Sequence, residues 1–336
     1  MKVLKIITSV IAAILLLACV FSSFVFWFFG LTFIHTREYG IFVAGVSVTR
    51  ENQSDILGDG TVSYDPSINT VIFDNANIES EYAMVGALDD IQIYLVGENK
   101  FVCKDSDNVS MIYAAENYLY KDVAIFGEGS LTIEAKNIPT NVQGISADNL
   151  TIASDVTVTL PDCAGIANGI VCSTSLLVVN KSTVTVNNGA AKYSSAVRVR
   201  GNAFLEEGAS INSSVSGGSV ESCKGMSING DLILGKDASV NVSVDDTSAI
   251  VGEGIRVTGV LEAGAGASVT ASAKKNPAIE VFGTLKACMG SSVTADSAEG
   301  AYDVLCHGAF LNYGTTLSGD ANSVDGIITT IESRNS

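Results

Sequence analysis

Three apolar series advance through the C-terminal half of this chain in step. One ends a small-small-hydrophobic motif that follows Gly or Asp: GASI at Ile211, DASV at Val240, GASV at Val269, GSSV at Val293 and GTTL at Leu317. The spacing stays within the range of stacked repeats, roughly 24–29 positions. KSTV at Val184 and DVTV at Val158 extend the series backwards. Val199, Ile228, Val257, Val281 and Val304 end a second series of apolar-x-apolar triplets, while Leu205, Leu232, Leu261, Leu285 and Leu311 head a third. Each unit therefore holds three short strands of alternating apolar and polar residues, separated by Gly, Asn or Asp, with almost no helical period. A unit of this kind cannot bury its apolar side alone. Stacked in register, three strands per turn close around a continuous interior of Val, Ile, Leu and Ala, which is a β-solenoid. A membrane β-barrel needs strands near ten residues long, and these are too short.

The pattern changes between Gly40 and Val102, where GTVSYD, DPSIN, TVIFDNANI and IQIYLVGEN read as strand, turn, strand and first coil. This segment is placed to cap the open end of the solenoid against edge-to-edge stacking. The expected organisation is a cytoplasmic stub and transmembrane signal-anchor over residues 1–37 and a linker over 38–56. A β-rich cap over 57–102, β-helix coils over 103–330 and a tail over 331–336 complete it.

The anchor rests on an uncharged, mostly apolar run of 29 residues from Ile6 to Ile34, where about 20 suffice to cross a bilayer. It continues as FVFWFFGLTF past the one cleavage-like site at Val20–Ser22, which favours an uncleaved segment. Lys2 and Lys5 precede the run and Arg37 follows it, so the positive-inside bias exports everything after Tyr39. Two other readings stay open: LLAC at Leu16–Cys19 resembles a lipobox that would lipidate Cys19, and a cleaved signal would free the exported part. All three place the remainder outside the cytoplasm.

Three of the 19 basic residues precede Glu38 and no acid does, so residues 38–336 carry 16 Lys and Arg against 36 Asp and Glu. Such a balance argues against nucleic acid as partner, because phosphate binding needs a basic footprint. Clustered carboxylates suit hard cations, and calcium is the expected cofactor if there is one. Cys103, Cys163, Cys172, Cys223, Cys288 and Cys306 have irregular spacings and no CxxC, which fits buried free thiols better than a disulfide framework or a zinc site. Six Asn-x-Ser/Thr sequons mostly coincide with a repeat position and say little about glycosylation.

Catalytic motifs are scarce. His35 abuts the apolar run and His307 reads as a corner residue, which leaves histidine chemistry little to work with. GEG at Gly127–Gly129 reads as a solenoid turn rather than a phosphate cradle, and pairs such as Asp89–Asp90 are common in any acidic β-protein. The register does yield one constellation. The middle residue of each first strand must point outward between buried neighbours, which puts Arg198, Ser227, Arg256, Glu280 and Asp303 on one stripe, adjacent coils about 4.8 Å apart. Arginines on such a stripe fork onto sugar carboxylates or hydroxyls; alternatively the stripe is an Arg-acid ladder that only solubilises the face. Thr185, Asn212, Asn241, Thr270, Thr294 and Ser318 form a second outward stripe, of hydroxyls and amides. Tyr113, Tyr118 and Tyr120 fall in one early coil, where they stack on sugar rings or pack at corners.

The segment from Gly40 to Ile152 resembles a family of Gram-positive, mainly clostridial, surface proteins described as carbohydrate-binding domain-containing. The resemblance is carried by GIFVAGVSVT (Gly40–Thr49), DGTVSYDPSINTVIFDNANI (Asp59–Ile78), IYLVGEN (Ile93–Asn99) and FGEGSLTIEA (Phe126–Ala135) followed by GISADNLTI. It implies a right-handed parallel β-helix and an association with plant cell-wall polysaccharide and calcium; it transfers no site residue. The function expected from the whole is noncatalytic binding of extracellular polysaccharide by a membrane-anchored protein. A β-helix polysaccharide lyase or hydrolase, and a structural or adhesive surface protein, are the alternatives.

Overall fold

The structure is a computed structural model that describes residues 39–216, 221–245, 249–297, 302–313, 316–318, 321–322 and 328–330. The expected signal-anchor and tail lie outside the described residues. What is described is all β, a parallel solenoid; from Tyr193 on each coil contributes three short strands as expected, whereas Val123–Lys136, Asn141–Leu160 and Ile166–Val178 run on through corners as longer single strands. One coil consists of Tyr193–Val199, Asn202–Leu205 and Ser210–Ser216, and the next of Ser222–Ile228, Leu232–Leu234 and Ser239–Asp245. Each strand pairs in parallel with its counterpart one coil on.

Strict apolar alternation builds this arrangement. Third strands read inward-outward in every coil, so Val184, Ile211, Val240, Val269 and Val293 stack directly and are fully buried. The stripe between them follows as expected, with Thr185, Asn212, Asn241, Thr270 and Thr294 in register and Ser318 next in the backbone ladder. Asn241 Nδ2 donates to Asn212 Oδ1 at 2.9 Å, an amide ladder that ties coil to coil.

Four members of the three series sit differently from the sequence reading. Leu205 pairs with Leu234, Val158 with Val186 and Val304 with Ile279, each two positions from the expected partner. Because side chains alternate with period two, a two-residue offset keeps these residues on the buried face. Leu311 is off by one: Phe310 takes the inward place opposite Leu285, and Leu311 stands opposite Lys286 on the outer face.

The N-terminal end is closed by antiparallel strands. Ile41–Val43 pairs with Val46–Ser47 and with Val85–Ala87, and Val62–Asp65 pairs with Thr70–Asp74. Residues 38–56, expected to be a linker, thus hold two strands, and Ile41, Val43, Val48 and Ile56 join the core. Such short strands outside the repeat carry no periodic signal. Thr70–Asp74 and Ile91–Val96 are already in the parallel stack, so coils start inside the segment expected to be cap. No disulfide joins the six cysteines among the described residues, and four of them are buried.

Candidate functional site

The first strands of three successive coils are seven residues long and break the alternation once. Tyr193–Val199, Ser222–Ile228 and Val251–Val257 each bury their fourth and fifth residues in succession, and the ladder passes over the fourth. Two consecutive inward residues bend the strand, so the outward residues at the third and sixth positions flank a concave strip.

The bend demands a small fourth residue. A Cβ added at Gly225 would lie 2.0 Å from Val242 Cγ1, and one at Gly169 2.1 Å from Val186 Cγ1. Ala196 occupies this place one coil before Gly225, and there the third strand supplies Ser213 where the next coil has Val242.

Asn168, Ser195, Lys224 and Glu253 form one column beside the strip, and Val171, Arg198, Ser227 and Arg256 the other. Between them is a groove of about 390 Å³ whose lining includes Arg198, Lys224 and Arg256 and no carboxylate. That gathers three cations into one concavity on a chain of net charge −17. Arg198 has no ion-pair partner among the described residues. Lys224 Nζ lies 2.9 Å from Glu253 Oε2, an ion pair without the alignment of a hydrogen bond. Arg256 Nε stands 3.7 Å from Glu280 Oε2 and makes no hydrogen bond. Asn168, almost wholly buried, also lines the groove, and Tyr193 forms part of its rim. The Tyr193 hydroxyl donates to the Glu221 carboxylate, which holds that carboxyl below its usual range and raises the phenol. Lys192 Nζ sits 5.4 Å from the centre of the Tyr193 ring.

The residues singled out from the sequence divide. Arg198 and Arg256 are on the groove, two coils apart, about 10 Å by strand spacing. Glu280 follows Arg256 in the same column. Asp303 does not: Leu305 takes the outward place beside Glu280, and Asp303 precedes the strand, its Oδ1 accepting the Ser297 amide. The expectation for Asp303 took Val304 as the end of its triplet, whereas Cys306 is the inward residue opposite Val281. Tyr113 belongs to the groove column, through Ser146 and Val171 to Arg198. Tyr118 is fully exposed at the tip of a hairpin, with φ of 66°, and Tyr120 pairs back onto Ala115 in that hairpin. Tyr118 thus stands apart from Tyr113 and Tyr120. The triplet pattern misses Lys224 and Tyr193 altogether. The recurrent x-small-hydrophobic breaks SAV, KGM and EGI mark the bend that brings them in.

Among the described residues no group of three or more His, Cys, Asp or Glu is placed to hold a metal ion. No family model, curated protein or solved structure matches this chain.

Proposed function

We propose that the chain is a membrane-anchored extracytoplasmic protein, its coils right-handed as parallel crossovers overwhelmingly are, whose groove binds an acidic polysaccharide without catalysis. The observation that carries this reading is the set of cations on the groove: Arg198, which has no ion-pair partner among the described residues, with Lys224 and Arg256 beside it, ion-paired to Glu253 and Glu280 outside the lining. An acidic surface repels anionic polymers, and a concavity lined by cations gives such a polymer a place to dock. Guanidinium groups bind carboxylates through paired, charge-assisted hydrogen bonds, and spacing them two coils apart lets an extended chain meet both while crossing Ser227 between. Tyr193 on the rim offers an apolar ring with a polar tip, a surface suited to sugars. Calcium enters this reading as a bridge whose donors come partly from the ligand's own carboxylates.

The test is a glycan array probed with the full chain, with and without chelator, beside the Arg198→Ala, Lys224→Ala, Arg256→Ala triple variant. Retention on uronate-containing glycans, lost in the triple variant, supports the reading. Equal retention of wild type and triple variant removes the groove from it, and new reducing ends or unsaturated products would show an enzyme instead.

A further inference from the structure

One end of the groove carries a cluster that the binding reading does not use. Glu280 is mostly buried and faces two cationic or potentially cationic groups at once. Its Oε2 is 3.7 Å from Arg256 Nε, and its Oε1 is 3.1 Å from His307 Nε2. Phe282 underlies both partners. The Arg256 guanidinium is 4.9 Å from its ring centre, and the His307 imidazole stacks on it at 4.6 Å and 12°.

The distances are unequal, and the inequality matters. At 3.1 Å the Glu280–His307 contact is a hydrogen bond, whereas 3.7 Å to Arg256 leaves charge attraction without one. Arg256 is thus held in place by the Phe282 ring and by the field of Glu280, while its buried Nε has no acceptor. Its charge is neutralised at long range while the buried Nε goes without a hydrogen bond.

We infer that Glu280 is a built-in competitor for the anion subsite at Arg256, and that His307 is a positioning residue that keeps its carboxylate drawn back from the groove. This rests on the proposed binding of an acidic polysaccharide and adds what sets affinity at one end of it. An incoming carboxylate can donate nothing and needs the Arg256 N–H groups; Glu280 attracts the same guanidinium and repels the same carboxylate. Like charges a few ångströms apart repel strongly even at intermediate dielectric, so the resident carboxylate weakens the Arg256 subsite relative to Arg198. With His307 bonded to Glu280, the carboxylate is held short of hydrogen-bonding range of Arg256; without that bond it closes on Arg256 and shuts the subsite. The groove is then graded, with a strong subsite at Arg198 and a restrained one at Arg256.

The test has a ligand arm and a ligand-free arm, both on the full chain. With an oligogalacturonate as probe, Glu280→Gln is expected to tighten binding about threefold to tenfold. His307→Phe, which keeps the ring stack but loses the nitrogen, is expected to weaken it. The double variant returns to the affinity of Glu280→Gln, which a merely structural loss at His307 would not do. Without ligand, phenylglyoxal modification of Arg256, followed by peptide mass spectrometry with Arg198 as internal control, should speed up in Glu280→Gln and slow down in His307→Phe. Unchanged or slower Arg256 modification in Glu280→Gln, or weaker oligogalacturonate binding by that variant, overturns the inference. If no variant binds the probe yet Arg256 reactivity shifts as stated, the competitor role stands and the polysaccharide reading fails.

Discussion

Gly225→Ala tests the bend that makes the groove. The new Cβ would sit 2.0 Å from Val242 Cγ1, 2.9 Å from the Gly254 carbonyl oxygen and 3.2 Å from Val244 Cγ2. Carbon atoms pack at about 3.5–4.0 Å, so the first of these approaches is far too close. Val242 has little room to yield: its χ1 is stiff, and its strand is pinned between Ser213 and Ala271 in the neighbouring coils. Overpacking of this kind costs about 1–3 kcal/mol, offset by only ~0.4–1 kcal/mol from the stiffer unfolded chain. Val242→Ala alone removes two buried methyl groups, about 1.6 kcal/mol at ~0.8 kcal/mol each, with a cavity term on top. Together, however, the alanine at 225 fills the space vacated at 242. The double variant should therefore be more stable than the sum of the singles predicts, by about 1 kcal/mol, the part of the overpacking strain that Val242 causes, while the approach to the Gly254 carbonyl oxygen remains. The chain already contains this exchange one coil earlier, where Ala196 stands in the place of Gly225 and Ser213 in the place of Val242. Urea unfolding of the full chain in detergent, followed by far-UV circular dichroism, gives the three free-energy differences. Additivity within about 0.5 kcal/mol would refute this explanation of the bend, since uncoupled sites add to that precision.

Other consequences are simpler to read. Val269 is fully buried, so Val269→Asp should destabilise by several kcal/mol in the same unfolding assay, whereas outward Thr270→Asp should cost under about 1 kcal/mol; equal losses would show that the register is wrong. Burial pushes the Cys103 thiol from 9.0 up to about 11, so folding favours its neutral form. Its contribution is intact below the unfolded value and is lost as pH rises from about 9 through 11, on the order of 2–3 kcal/mol at ~1.4 kcal/mol per unit. Cys103→Ala should flatten that part of an alkaline stability curve, and an unchanged slope would contradict it. The full-length protein should resist carbonate extraction from membranes with its C-terminal part open to external protease; a soluble form starting near Ser23 would contradict the anchor.

The fold was legible because burial imposes a period of two within strands and a near-constant period between coils, and both survive in the residue pattern. Register was less so. Val304 and Cys306 are both apolar and two apart, so either could end the triplet, and the difference moved Asp303 off the stripe and Leu305 onto it. The linker expectation failed over Ile41–Val43 because a lone capping strand repeats nothing. At the site, Arg198 and Arg256 could be placed by counting, since their triplets are regular. Lys224 and Tyr193 could not, because they reach the groove only through a break in alternation whose geometry depends on Gly169, Ala196, Gly225 and Gly254 fitting against their neighbours. The Glu280–His307 contact joins residues 27 apart through a side chain beyond the strand's end, which no local pattern marks.

The claim that this groove recognises negative charge is tested most directly by one comparison of ligands. Titration calorimetry of the full chain with an oligogalacturonate and with its methyl ester, equal in length, changes the ligand's charge while retaining its sugar backbone. Esterification should weaken binding by about 1.5–3 kcal/mol for each charge-assisted hydrogen bond it removes, and binding of the free acid should fall steeply with added salt. Equal affinities for acid and ester would contradict the claim.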